Sequence, residues 1–446
     1  MSSWKVCTVE ELVKEGILEK PLDGNHGSIH PKSTDYTDDG IPFIMASDLV
    51  SGRVDLESCK FISKDMALSL RKGFAKEGDV LLSHKATIGR TALIQSNKFP
   101  SIVLTPQVTY YRVKNNKKLN NVYLKSYFDS YAFQSILNQW AGSGSTRAYI
   151  GITDQLKLPI VLPPYQEQEK IADILGSFDD KIQLNTQTNQ TLEQIAQAIF
   201  KSWFVDFAPV KAKINALANG GTHADAERAA MQVISSKTDA ELTQMQQTNP
   251  NAYKTLEKTA ALFPSEMVES ELGQVPKGWG YCKVGDVVDR LKNPQKLKKD
   301  DISEDYSVPV FEQGSNILMG YTQVAGFEAD IENPMFIFGD HTCVTHLSTT
   351  PFSSYQNVIT LKGFNLSTYW VYWAVRDKQK FQEYRRHWME FIVKDIIVPD
   401  NKLLCDKFSE RVKYFHKKID ENTKENQTLS EIRDSLLPRL LSGEFV

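Results

Sequence analysis

The chain repeats itself, and this duplication restricts its folds more than any other feature. Trp4-x-x-Cys7-x-Val9-x-Glu11-Leu12-Val13 returns as Trp279-x-x-Cys282-x-Val284-x-Asp286-Val287-Val288, displaced by 275 residues. Later, Lys181-Ile182-x-x-Asn185-x-x-x-Asn189-Gln190-Thr191-Leu192-x-x-Ile195 returns as Lys418-Ile419-x-x-Asn422-x-x-x-Asn426-Gln427-Thr428-Leu429-x-x-Ile432, displaced by 237. Between these anchors, Tyr123 to Tyr127 resembles Tyr369 to Trp373, and Val80-Leu81-Leu82 resembles Met335-Phe336-Ile337. Matches in constant order at a shrinking displacement are what a duplicated unit with shorter loops in its second copy produces.

The order is therefore domain, helix, connector, domain, helix: residues 1–160, 161–205, 206–278, 279–398 and 399–446. Short β-branched or aromatic runs mark strands at Ile41–Met45, Asp79–Ser83, Ile102–Arg112, Val308–Phe311, Pro334–Phe338 and Val358–Leu361. Gly, Pro, Asn and Ser interrupt them, which predicts loop-rich domains of mixed α and β structure. In the connector, Ala224–Thr248 is predicted helical, with breaks at Asn219-Gly220-Gly221 and Pro250.

Each copy ends in a heptad-like seam. Ile171, Leu175, Phe178, Ile182, Asn185, Asn189, Leu192, Ala196, Ile199 and Trp203 alternate steps of four and three. Phe408, Val412, Phe415, Ile419, Asn422, Asn426, Leu429, Arg433, Leu436 and Leu440 do the same, and Pro438 should stop or kink that helix. Such seams predict a coiled coil, the alternative being two amphipathic helices on separate cores. Connectivity makes the pair antiparallel. A register opposing Asn185 to Asn426 also opposes Asn189 to Asn422, Ile171 to Leu440 and Trp203 to Phe408, and buried Asn disfavours slipped alternatives. The expected class is α+β: two related domains separated by a long antiparallel two-helix coiled coil with pseudo-two-fold symmetry. A helix from 171 to 203 spans about 50 Å at ~1.5 Å per residue, roughly one and a half turns of B-DNA.

Bulk properties narrow the class further. The 446 residues carry a net charge of −3; Met1 to Lys5 open no apolar run, so no signal peptide is expected, and no run is long enough to span a bilayer. The five cysteines lack any Cys-x-x-Cys spacing, which predicts buried thiols in a reducing, cytoplasmic compartment. Residues 1–158 hold 20 Lys and Arg against 16 Asp and Glu, while residues 159–275 hold 9 against 15. A weakly basic first domain would hold DNA loosely alone and would need partners for more phosphate contacts.

Several stretches together resemble the specificity subunits of type I restriction–modification systems. They are Leu162-Pro163-Pro164-Tyr165-Gln166-Glu167-Gln168-x-x-Ile171-Ala172, Asp180-Lys181-Ile182, Ile199-Phe200-x-x-Trp203-Phe204, Leu272-Gly273-x-x-Pro276-x-Gly278-Trp279 and Phe338-Gly339-Asp340-His341-Thr342. The resemblance implies a subunit without catalysis or cofactor whose two target-recognition domains read a bipartite double-stranded DNA site across a non-specific spacer. It also implies two methyltransferase partners that modify adenine with S-adenosylmethionine, and ATP-dependent restriction and motor subunits. The competing reading is a coiled-coil assembly protein that binds no DNA.

Catalytic readings fail on residue type. Leu162-Pro-Pro-Tyr165 lacks the polar first residue of an amino-methyltransferase signature, so its prolines are read as a helix boundary. Pro399-Asp400 is not followed by the carboxylates and Lys of a nuclease site. His26 with His30, and His341 with His346, lack further ligands at metal spacing, so no metal is expected. Base reading needs loops that mix donors and acceptors. In the first domain the candidates are Ser83, His84, Lys85, Thr87, Arg90, Gln107, Ser145, Thr146 and Arg147. In the second they are Gln313, Asn316, His341, Thr342, Gln356, Asn357, Arg385 and Arg386. Asn185, Asn189, Asn422 and Asn426 are the candidate register residues of the spacer.

Overall fold

Thr8 opens the first helix of the chain by a reciprocal cap. Its hydroxyl accepts from the Glu11 N–H at 3.2 Å, and the Glu11 carboxylate accepts from the Thr8 N–H at 2.8 Å. In the second copy Asp286 stands where Glu11 does and accepts from the Lys283 N–H at 2.9 Å. The repeat thus preserves a cap, not merely a sequence. The computed structural model describes residues 4–141, 149–271, 273–314 and 316–444. It divides into two units, residues 1–184 with 425–446, and residues 185–424.

In the first unit, strand Lys5–Thr8 pairs antiparallel with Pro159–Leu162, Cys7 opposite Ile160, and the Val9 N–H continues the ladder to the Leu158 carbonyl at 3.0 Å. In the second unit, Trp279–Lys283 pairs with Asp395–Pro399, Cys282 opposite Ile396, and the Val284 N–H bonds the Lys394 carbonyl at 2.9 Å. Both domains are therefore closed at the base by one ladder in one register. Above it the first domain has a four-stranded sheet in the order Thr87–Leu93, Val80–Lys85, Val108–Tyr111, Leu22–Asp23. The second repeats that order with Thr345–Ser348, Met335–Gly339, Val358–Gly363 and Val288–Leu291. A second sheet in each contains one parallel pairing, Ile41–Ile44 with Ile102–Leu104 and Val308–Phe311 with Ser353–Ser354.

Some sequence expectations are corrected. The run Ile102–Arg112 is two strands, because Pro106 lacks the N–H a continuous ladder needs, and the halves join different sheets. Among its described residues the connector holds four helices, Ala208–Ala218, His223–Ser235, Asp239–Thr248 and Pro250–Ala261. Ala224–Thr248 breaks at Ser236, which adopts a left-handed φ of 55°, and restarts under a Thr238–Glu241 cap. Pro250 begins a helix instead of ending one, since the first turn needs no N–H from it. Pro438 lies inside the second long helix, Lys402–Leu441, which ends three residues later, and its missing N–H costs the bond to the Asp434 carbonyl.

The long helices, Tyr165–Phe204 and Lys402–Leu441, run antiparallel within each unit. In the first unit Arg433 donates to Asp179 at 2.7 Å and Lys181 pairs with Glu425 at 3.1 Å. Ile171, Leu175, Leu437 and Leu440 join a core with Val9, Leu12, Tyr123 and Phe128. In the second unit Trp203, Phe204, Phe408 and Val412 join Trp279, Trp370 and Phe391. Each such fully buried side chain contributes about 1.5–3 kcal/mol of burial, so the helices are integral to both cores. Gln168, wholly buried, donates to the Lys118 and Pro163 carbonyls at 3.0 and 2.9 Å and fixes the entry to the first helix. Cys405, also buried, occupies the matching place in the second.

Asn185 and Asn422 are buried, and the Asn422 amide donates to the Asn189 side-chain oxygen at 2.8 Å. Asn422→Leu strips Asn189 of that donor and is expected to destabilise the second unit by about 1–3 kcal/mol. Replacing both by Leu removes the orphan and should restore most of the loss. Hydrogen exchange over residues 189–200 and 408–424 reads the difference; a double variant as impaired as the single one rejects this pairing.

Candidate nucleic-acid interface

The four-stranded sheet gathers most candidate residues of the first domain at one end. Strand Val80–Lys85 turns through Ala86, at a left-handed φ of 66°, into Thr87–Leu93. Gln107 precedes Val108 on the neighbouring strand, and Asp23 ends the next. Ser83 is buried and its hydroxyl accepts from the Arg90 N–H at 2.9 Å. His84 is buried too. Its N–H donates to the Gln107 carbonyl at 2.9 Å, its carbonyl accepts from Ile150 at 3.0 Å, and Nδ1 lies 3.0 Å from the Ile150 carbonyl. Burial pushes the His84 imidazole down to about 4, so it stands neutral at physiological pH. Its Nε2 has no partner among the described residues. The Lys85 ammonium lies 6.0 Å from the Tyr149 ring, and Thr87 is exposed. Arg90 differs: its guanidinium turns back to the Ala46 carbonyl at 3.2 Å. Ser145, Thr146 and Arg147 lie outside the described residues.

The second domain repeats the arrangement with other side chains. The Asp340 N–H donates to the Asn357 carbonyl at 2.9 Å and its carbonyl accepts from His387 at 2.7 Å, the bonds that His84 makes to Gln107 and Ile150. Its carboxylate also caps the following turn, accepting from the His387 and Trp388 N–H groups at 3.1 and 2.9 Å. Gln313 brackets His341, accepting from its N–H at 2.9 Å and placing Nε2 3.2 Å from Nδ1. Gly339 is required here, because a Cβ would come within 2.7 Å of the Thr342 hydroxyl and 2.8 Å of the Gln313 Cβ. Gln356 and Asn357 are exposed, Asn357 at a φ of 60°. Arg385 is engaged by Glu390 and by Glu383 at 2.7 Å, whereas Arg386 keeps its side chain 79% exposed, 3.8 Å from Asp340. Asn316 stands apart on the exposed turn before Leu318–Thr322.

Three groups at these sheet ends escaped the sequence reading. Asp23 holds His26 at 2.5 Å and also Lys72, and is the last residue of the edge strand Leu22–Asp23 of the first sheet. Tyr384, 73% exposed, packs 4.8 Å from the His341 ring. The loop after Val288–Leu291 carries Lys292, Lys296, Lys298 and Lys299, all exposed. Its signal was in the sequence: four lysines in eight positions with no acid among them.

These end-on loops combine amide, imidazole, hydroxyl and guanidinium groups on a rigid frame, the chemistry that reads base edges. Among the described residues no helix is long and apolar enough to cross a membrane, and no group of three or more His, Cys, Asp or Glu could hold a metal. Residues 1–194 match the family model of the type I restriction modification DNA specificity domain. The chain is 35% identical over 318 residues to the type I restriction enzyme HindI specificity subunit of Haemophilus influenzae, covering 65% of this chain and 69% of that one. It is 25% identical over 446 residues to the MjaIX specificity subunit of Methanocaldococcus jannaschii, covering 93% and 89%. The solved type I restriction–modification S subunit of M. genitalium aligns over 98% of this chain and 96% of its own, at 15% identity and a TM-score of 0.47.

Proposed function

We propose, because this chain belongs to the specificity subunits of type I restriction–modification systems, that its two related domains read the two parts of a bipartite duplex DNA target. A specificity subunit has no catalysis of its own. The paired helices fix the untouched gap between the parts, and the subunit directs two adenine methyltransferase partners and ATP-dependent restriction subunits to the site, in the cytoplasm. One observation carries the reading. Identical sheet orders present different residues at the same end, His84 and Gln107 in one domain against Asp340 and Asn357 in the other. Equal frames with unequal side chains suit two different half-sites.

Base contacts fall to the groups left available at those ends: Lys85, Thr87 and Gln107 in the first domain, His341, Gln356, Asn357 and Arg386 in the second. Ser83, His84 and Arg385 act by holding these loops in shape. Arg90, turned toward Ala46, ties the hairpin to the second sheet. The test is selection from a random duplex pool by the full chain with its methyltransferase partner. Enrichment of two short motifs at a fixed separation is expected. A single uninterrupted motif, or no enrichment, overturns the proposal.

A further inference from the structure

The sheet end of the second domain differs from that of the first in charge. Where the first domain's outermost strand exits into Gly24–Lys32, with His26 tied to Asp23, the second exits into Lys292-Asn-Pro-Gln-Lys296-Leu-Lys298-Lys299. None of these four ammonium groups takes part in a described ion pair, and all four residues are exposed. The nearest acids in sequence, Asp300 and Asp301, follow the run, and Asp301 is occupied in accepting from the Lys298 N–H at 2.8 Å.

The loop is held in place. Asn293 donates to the Ser354 carbonyl and hydroxyl at 3.1 and 2.9 Å, and its own oxygen accepts from Gln295 at 3.0 Å. The Gln295 amide reaches the Ala325 carbonyl at 3.4 Å. Just before the loop, the Arg290 guanidinium lies 5.3 Å from the Trp388 ring, two residues from Arg386. The loop is thus anchored at its start beside Ser354, next to Tyr355-Gln356-Asn357, and past its end by the Ser303 N–H, which donates to the Tyr321 carbonyl at 2.9 Å. A preorganised cationic edge next to base-reading loops binds with less ordering cost than a free tail.

We infer that Lys292, Lys296, Lys298 and Lys299 form a phosphate clamp that grips duplex backbone at the half-site read by the second domain. The inference rests on the DNA reading above and deepens it. Phosphate contacts fix position without carrying sequence information. Each lowers the logarithmic salt slope of binding by roughly 0.9. The clamp makes binding asymmetric: the corresponding strand exit of the first domain carries no such run, and its exposed Lys114, Lys117 and Lys118 follow the other end of strand Val108–Tyr111.

The experiment uses the full chain with its methyltransferase partner and compares wild type with Lys292→Gln/Lys296→Gln/Lys298→Gln/Lys299→Gln. A control carries Lys211→Gln/Lys237→Gln/Lys254→Gln/Lys258→Gln in the connector. Affinity is measured across salt for the selected duplex and for a scrambled duplex of equal length. The loop variant should lose about 2–4 from the salt slope on both duplexes, with weakening of roughly tenfold or more at low salt, while the control stays at wild type. An unchanged slope on both, or a loss confined to the selected sequence, overturns the clamp. Should wild type select no motif yet keep a lysine-dependent slope, the bipartite reading fails and the clamp stands. Should it select a motif with the variant equal to wild type, the reverse holds.

Discussion

Lys125→Met is expected to destabilise the first domain by about 3–5 kcal/mol, the cost of breaking a buried ion pair from one side. Lys125 is 4% exposed, and its ammonium sits 2.9 Å from Asp129 and 2.7 Å from Asp179. Asp179 also accepts from Arg433 on the second long helix. The group therefore ties helix Asn121–Asp129 to both long helices. Burial alone would push the Asp179 carboxyl up, but the Lys125 ammonium and the Arg433 guanidinium outweigh it and hold it below the usual carboxylate range. A carboxylate depressed in the folded state stabilises above the unfolded value of about 3.9, and the gain is lost as pH falls through the folded value. Wild type should lose this stability on acidification below about pH 4, and Lys125→Met should lose less because it has less to lose. Because Arg433 remains, the cost should fall nearer the lower figure. Hydrogen exchange across Asn121–Asp129 measures it. Lys157→Ala, which removes an exposed pair with Asp154, is the comparison and should cost under about 1 kcal/mol. Equal effects from the two would remove the buried triad from the account.

A second large effect is expected from Gly24→Ala. The residue follows strand Leu22–Asp23, and its N–H donates to the Thr105 carbonyl at 3.3 Å. A Cβ there would lie 1.9 Å from the Leu104 carbonyl oxygen and 2.5 Å from the Thr105 carbonyl carbon. Both are backbone atoms, so no rotamer change relieves the overlap, and the cost should exceed about 3 kcal/mol. The displaced backbone leads into Gln107, so on the bipartite reading proposed above the first half-site should be read poorly even where the variant folds. Gly280→Ala is the control, because a Cβ there meets nothing within 4 Å. Thermal unfolding and half-site binding should separate the two; matching behaviour would contradict the close approach of Gly24 to its neighbours.

Much of the fold was legible in the sequence because the repeated residues do structural work that tolerates few substitutes. Cys7 and Cys282 sit at one rung of the basal ladder, Glu11 and Asp286 cap the same turn, and Val9 and Val284 are fully buried. The long helices were legible because an apolar seam leaves a period. The connector was only partly so, since a left-handed Ser236 and a proline at a first turn leave no period to read. The interface was harder still. Residue type names the groups able to meet a base, but not which of them the fold consumes. Ser83, His84 and Arg385 are engaged internally, and Arg90 points at a neighbouring carbonyl. The lysine run is plain in the sequence, but its place at the sheet end of the second domain depends on strand order, which no local pattern encodes.

The basal ladders carry a consequence for how such proteins diversify. In both domains the chain enters and leaves on adjacent antiparallel strands, Lys5–Thr8 beside Pro159–Leu162 and Trp279–Lys283 beside Asp395–Pro399. Everything between those strands forms a cassette whose two seams touch. A recombination event with crossovers in the two strands can replace a whole reader while leaving the joint and its hydrogen bonds in register. New specificities can thus arise in a single step where the incoming segment keeps the residues that pack on the long helices, such as Tyr123, Lys125 and Phe128 in the first domain.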